Sequence, residues 1–279
     1  MEEVNNQIFF PKTINELFIL WSQYPRAHLF AGGAQVLRYN GKRFLDFPLY
    51  MISLDRIDEL RKITRTEQYL EVGAMVRLND IINLGKIIPD VLISCLESIA
   101  GQQIRSIATI GGNICNNAYR LDSAATLIAL DAHYELRTAT SSRWISAVRF
   151  SGQTGPLPIE RNELLSRIRI PLEQWDYSLY RKFNPLRRGK PGGSVAFLMR
   201  NQRNILTDIR LAFSGNIILR DRNSEILLIG KRLPLDRKDT YDFEEQWKTY
   251  LSYHIPPVDP FLQSTLLNFI ESVLLSLSD

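Results

Sequence analysis

Two pairs of adjacent glycines carry the clearest chemical signal in this chain: Gly32-Gly33 after Ala31, and Gly111-Gly112 inside Thr109-Ile110-Gly111-Gly112-Asn113. A glycine pair permits positive φ and carries no Cβ, so successive backbone N–H groups can converge on an anionic ligand. Two such segments facing each other would hold a pyrophosphate, although either pair taken singly also reads as a tight turn. Neither has the G-x-G-x-x-G pattern, and Gly189-Lys190-Pro191 lacks the spacing and the Ser or Thr of a phosphate-binding P-loop. Other chemistry is poorly provided for. No acid–base dyad or activated nucleophile stands out, and His28, His133 and His254 are scattered without ligand spacing. The 2 cysteines, Cys95 and Cys115, are too few for an iron–sulfur cluster, a structural zinc or a disulfide framework. Cys115 reads as a small buried residue, since nothing near it in sequence would depress its pKa.

The elements that must position these segments follow from periodicity and punctuation. An opening strand at residues 8–10 meets Pro11, and Thr13 with Glu16 forms a capping box for a helix with Leu17, Leu20 and Trp21 on one face. A strand at 28–30 runs directly into the first glycine pair. Strands are predicted at 50–54 and 69–73, and Asn79 or Asp80 caps a helix through Ile81, Ile82 and Leu84. Val91, Leu92, Cys95, Leu96 and Ile99 recur at helical spacing, giving a buried-face helix before the second pair. A compact helix at 123–130 and strands at 134–137 and 164–170 lead to Pro171. Beyond it come a basic, glycine-rich loop, long strands around 194–200 and 209–214, and helices at 243–250 and 262–277. A boundary near Pro171 is therefore expected, with an α/β part before it and a smaller α+β part after it.

Composition narrows the function classes. With 279 residues, 45% hydrophobic and 23% charged, the chain reads as globular and large enough for more than one core. The net charge of +4 permits an anionic cofactor, but the only dense basic cluster, at 181–190, is short, so no nucleic-acid partner is expected. No apolar run approaches the roughly 20 residues of a membrane span. The acidic, polar residues 1–6 do not open a secretory signal, and a cytoplasmic location is the simplest expectation.

The stretch Gln103-Ile104-Arg105-Ser106-Ile107-Ala108-Thr109-Ile110-Gly111-Gly112-Asn113-Ile114, continuing to Asp122 and to Leu127-Ile128-Ala129-Leu130-Asp131-Ala132, resembles the FAD-binding medium subunit of the molybdenum hydroxylases. These are the xanthine dehydrogenase, carbon monoxide dehydrogenase and nicotinate dehydrogenase type. Ala31-Gly32-Gly33 matches the family's first glycine loop, residues 52–60 a strand and its following turn, 70–74 a further strand, and 162–165 with 168–171 the end of its flavin domain; the resemblance fades after about residue 215.

The resemblance implies an α+β fold: a two-lobed FAD-binding domain of the vanillyl-alcohol-oxidase-like (PCMH) type over 1–171, with lobes of about 1–60 and 61–171, then a small α+β C-terminal domain over 172–279. It implies noncovalent FAD held by Ala31, Gly32, Gly33, Ala34 and Gln35 on one side and by Thr109, Ile110, Gly111, Gly112 and Asn113 on the other. Asn116 and Asp122 would add polar contacts, and Asp122 serves equally well as the N-cap of the following helix. Lys182 falls where the family has a lysine approaching the isoalloxazine; a cation there stabilises the anionic reduced flavin. A solvated basic loop is the alternative, and the preferred one for Arg187, Arg188 and Lys190.

Three departures stand out: Ala34-Gln35 replaces the family's threonine–aspartate or histidine–serine, Asn116-Asn117-Ala118-Tyr119 replaces small residues and proline, and the glycine- and proline-rich segment is missing after Ser214-Gly215. The function implied is an FAD-dependent oxidoreductase subunit active within a complex. Its partners would be a molybdopterin-binding large subunit and a small subunit with [2Fe–2S] clusters, and its acceptor NAD+ or another carrier. Two alternatives are a stand-alone flavin-dependent reductase on the same fold, which needs a proton donor not found here, and a flavin-free scaffold, which the departures favour.

Overall fold

The structure is a computed structural model that describes residues 6–36, 47–116, 123–151, 157–183, 192–215, 217–254 and 257–278. β1 (Gln7–Phe9) passes through Pro11 into α1 (Ile14–Gln23), whose N-cap Thr13 accepts a hydrogen bond from the Glu16 amide at 3.1 Å. β2 (His28–Phe30) and β3 (Tyr50–Ser53) follow, and β1 and β2 flank β3 in a parallel sheet. Ile14 and Leu17 of α1 pack on Ile52, Leu54 and Leu60 to form the first core.

β4 (Ile63–Arg65) and β5 (Tyr69–Gly73) form a hairpin, then a helical stretch runs through α2 (Leu78–Ile82), α3 (Asp90–Glu97), α4 (Gln102–Arg105), α5 (Ile110–Ile114) and α6 (Ser123–Ala129). β6 (His133–Arg137), β7 (Ser142–Ser146), α7 (Ala147–Ser151) and β8 (Leu164–Pro171) complete an antiparallel five-stranded sheet of order β4-β5-β8-β6-β7. Strand alternation sorts its two faces. Leu70, Val72, Tyr134, Leu136, Ile168 and Ile170 enter the core with α3 and α6. On the other face Arg167 pairs with Glu135 at 2.8 Å and Arg169 with Glu71 at 2.6 Å, while the Arg169 guanidinium lies 4.1 Å from the Trp144 ring centre.

The third sheet comprises β9 (Tyr177–Phe183), β10 (Gly193–Gln202), β11 (Ile205–Ser214) and β12 (Ile218–Leu219), antiparallel in the order β12-β11-β10-β9. α8 (Arg222–Leu228), α9 (Arg237–Tyr253) and α10 (Pro260–Ser278) close one of its faces, where Val195, Phe197, Leu211 and Phe213 meet Trp247, Phe269 and Ile270. The opposite face sends Ala196, Leu198 and Ala212 into the core around α6. β10 and β11 are thus covered on both sides, so they read as nearly continuous apolar runs.

Several expectations need correction. α2 starts one residue before Asn79, with Arg77 at the N-cap and no side-chain cap bond; a long-range bridge between Arg77 and Thr109 fixes that backbone instead. Arg181 and Lys182 belong to β9 rather than to a loop, because Leu179 and Phe183 alternate into the third core. Arg187, Arg188 and Lys190 lie outside the described residues. Among those described, α10 is long and apolar enough by length and composition to cross a membrane, contrary to the run-based reading; here Leu266, Phe269, Ile270, Val273 and Leu274 pack into the third core.

Glu163, just before β8, has only 3% of its side chain exposed. It accepts two hydrogen bonds from Arg143, at 2.7 and 2.9 Å, and one from the Glu160 amide at 2.8 Å. The Arg143 guanidinium holds this carboxyl below the usual carboxylate range. A lowered folded-state pKa contributes stability above the unfolded value of about 4.3 and loses it as pH falls through the folded value. Glu163→Gln is therefore expected to be less stable than the wild type at pH 7 by about 1 kcal/mol, because Arg143 is half exposed. Urea titrations should show that gap closing as the pH falls below about 4; a gap constant from pH 7 to pH 3 would refute the assignment.

Candidate functional site

β2 delivers the chain into the first glycine pair. Gly33 is buried with φ of +74°, a left-handed conformation that glycine adopts without strain. Gly32 lies against the second segment's approach: a Cβ built on it would sit 1.7 Å from the Ile107 carbonyl oxygen. Among the described residues no acceptor reaches the N–H groups of Gly32, Gly33, Ala34 or Gln35. Of these only Gly33 is buried, and a buried amide is rarely left in that state unless a ligand or water takes it.

The second pair is built differently from the expectation. Thr109 is an N-cap, and its hydroxyl accepts from the Gly112 amide at 3.1 Å, so Gly111 and Gly112 form the first turn of α5 rather than a positive-φ turn. The other amides are also used inside the protein. Ile110 donates to Val76 O at 3.0 Å, Gly111 to Ala74 O at 2.9 Å and Asn113 to Thr109 O at 2.9 Å. Gly111 is required by packing, since its Cβ would meet Ala74 Cβ at 2.7 Å; a Cβ on Gly112 would come within 2.9 Å of the Thr109 hydroxyl and 3.9 Å of Ala31 Cβ. The two segments therefore abut through Ala31 and Gly112, with the free amides on the first.

The polar residues divide by element. Asn113 Oδ1 accepts from the Ser123 hydroxyl at 2.5 Å, which ties α5 to the first turn of α6. Asn116 is half-buried after α5, its amide 3.4 Å from Asn113 O, and Asp122 lies outside the described residues. Burial of its sulfur pushes the Cys115 thiol up to about 12, which disfavours the nucleophilic thiolate. Lys182 pairs across β9 and β10 with Ser194, which pairs with Ser214 on β11. Those serines are fully buried with hydroxyls 3.0 Å apart. Arg210 Nη1, 3.2 Å from Ala129 O, sets the last turn of α6 beside β11. Lys182, Ser194 and Ser214 thus form one cross-strand row, with Ser214 further along β11 than Arg210. Ser123 and the Ser194–Ser214 pair were missed in the sequence; isolated serines inside apolar segments were the available signal.

A diphosphate suits this arrangement, because the buried amide of Gly33 has no acceptor among the described residues and follows Gly32, where no Cβ fits against the Ile107 backbone. The architecture is the expected α+β, PCMH-type flavin domain. Residues 3–173 match the family described as the FAD binding domain in molybdopterin dehydrogenase. The carbon monoxide dehydrogenase medium chain of Hydrogenophaga pseudoflava is 31% identical over 228 residues, 79% of each chain. The xanthine dehydrogenase FAD-binding subunit of Escherichia coli O157:H7 is 31% identical over 166 residues, 57% of this chain and 55% of that one. In fold, a chain of quinoline 2-oxidoreductase from Pseudomonas putida 86 superposes with a TM-score of 0.81 at 21% identity, over 98% of this chain and 96% of that one. The protein belongs to the family of FAD-binding domains of molybdopterin dehydrogenases, and FAD is its cofactor.

Proposed function

We propose that this chain is the electron-transfer flavoprotein subunit of a molybdenum-containing hydroxylase or dehydrogenase. A molybdopterin-binding partner would oxidise the substrate, and a partner with [2Fe–2S] clusters would bring the electrons here, with NAD+ or another carrier as acceptor. Relatives named as a medium chain and as an FAD-binding subunit support the division of labour. When bound, FAD supplies the exchange between single-electron arrivals and a two-electron delivery.

In this reading the amides of Gly32, Gly33, Ala34 and Gln35 hold the pyrophosphate, and the buried, acceptor-free amide of Gly33 carries the proposal. Those amides bind without a hydroxyl at residue 34, which removes the difficulty that Ala34-Gln35 raised. Thr109, Ile110, Gly111 and Gly112 form the opposing wall with Ala31. Asn113 and Asn116 add side-chain contacts, and Asp122 keeps its two roles. Lys182 keeps a positive charge close to the flavin ring, lowering the cost of its reduced anionic form.

The test is spectroscopic. The purified chain should show flavin absorbance that denaturation releases, and Gly112→Val should lose it while keeping its circular dichroism and Tm within a few degrees. The valine would press on the Thr109 hydroxyl and on Ala31, between the segments, without meeting rigid backbone. Unchanged FAD affinity in that variant would remove the pyrophosphate from this position. A chain that alone reduces an organic substrate with NADPH would overturn the subunit reading.

A further inference from the structure

Behind Asn113, where α5 meets α6, a small cavity is lined by the polar groups of Asn113, Ser123, Tyr134 and Ser151. It leaves about 10 Å³ in which the centre of a water molecule can sit, close to the room one buried water needs. Tyr134 projects into it from β6. This residue is 0% exposed, and its hydroxyl meets no partner in good hydrogen-bond geometry, the Ser151 side chain lying close by but off that geometry. The ring cannot swing aside, because Phe150 packs edge-on against it with ring centres 5.0 Å apart.

A buried hydroxyl left without a partner costs about 1–3 kcal/mol, so such groups are normally satisfied by ordered water when space allows. Burial raises the Tyr134 pKa, and the nearby Ser151 side chain offsets only part of the rise. The phenol therefore stays protonated and has a proton to donate. The four polar side chains supply the two to four partners that a buried water requires.

We propose that this cavity holds one ordered water, which links the Tyr134 hydroxyl to the Asn113–Ser123 pair and makes Tyr134 a positioning residue for FAD. Asn113 Oδ1 already accepts from Ser123 at 2.5 Å. The water restrains the same amide from behind and keeps the start of α5, which carries Gly112 against Ala31, in its binding geometry before the cofactor arrives. The inference rests on the placement of the pyrophosphate between residues 31–35 and 109–113.

The test uses the full chain stripped of FAD and titrated with it by flavin fluorescence. Tyr134→Phe keeps the ring and removes only the hydroxyl. It should weaken FAD binding by about threefold to tenfold. In an Asn113→Ala background the same change should have no further effect, because both act through one link. Ile170→Val serves as the control: it loosens the same core away from the Tyr134 ring and should lower Tm with FAD affinity unchanged. Wild-type affinity in Tyr134→Phe, additive effects in the double variant, or a dry cavity in a high-resolution crystal structure would each overturn the proposal. If Gly112→Val also left FAD affinity unchanged, the failure would lie with the pyrophosphate placement. Normal loss in Gly112→Val with no effect of Tyr134→Phe would remove the water link alone.

Discussion

Gly32→Ala is expected to give a chain that retains no FAD and is less stable than the wild type by about 3 kcal/mol or more, the upper end for overpacking. The added methyl would lie 1.7 Å from the Ile107 carbonyl oxygen and 2.8 Å from its carbon. Both are backbone atoms in the run between α4 and the Thr109 cap, so no flexible side chain can yield. Either the first segment lifts away, carrying its free amides with it, or residue 107 moves and drags the start of α5. Both outcomes separate Ala31 from Gly112. Urea denaturation and flavin absorbance of the purified variant check the two halves of the prediction. Wild-type stability with bound flavin would mean that the close approach at residue 107 does not exist. The contrast with Gly112→Val is informative, because that change should strip the cofactor and leave the fold.

Arg220→Met should cost about 3–5 kcal/mol, the range for removing one partner of a buried ion pair. Arg220 has 5% of its side chain exposed and Glu225 7%, and the pair is joined at 2.9 and 3.1 Å. Burial raises the Glu225 carboxyl, and the guanidinium pulls it back. The same arginine donates to Ile128 O at 2.8 Å and to Asp131 at 2.6 Å, just past the end of α6. Its loss leaves a buried carboxylate without a counter-charge and an uncapped helix end. Adding Glu225→Leu to Arg220→Met should recover part of the loss, since an apolar pair carries no desolvation penalty. Thermal and urea unfolding of the three chains would measure this, and a loss under 1 kcal/mol in the single variant would contradict it.

The binding segments were legible in sequence because glycine pairs and a capping threonine are local signals. Gly33 behaves as its type suggests, with positive φ. Gly111 and Gly112 do not: a long-range contact with the Ala74 backbone, together with the local Thr109 cap, holds Ile-Gly-Gly-Asn-Ile in a helix that its glycines disfavour. A reading of neighbours alone could not see that the second segment's amides were already taken. β9 was hidden for a related cause. Tyr177–Phe183 is rich in polar residues, and its strand character comes from pairing with β10 along its whole length. The row Lys182, Ser194, Ser214 exists only once three strands are in register. Tyr134 was assigned to its strand, but no sequence pattern says that its hydroxyl ends in a polar void.

Helix α6 bears on how this protein can be cut and recombined. Its first turn is fastened to Asn113 through Ser123, and its last carbonyls are held by Arg210 and Arg220. Ala196, Leu198 and Ala212 complete the core on which it lies. The family match closes at residue 173, ahead of all five of those residues. A fragment ended there would keep both glycine segments yet lose the floor and the far anchor of the helix tied to the second of them. Chimeras that exchange the C-terminal part between relatives would accordingly have to carry both arginines and the small apolar residues of β10 and β11 as one set.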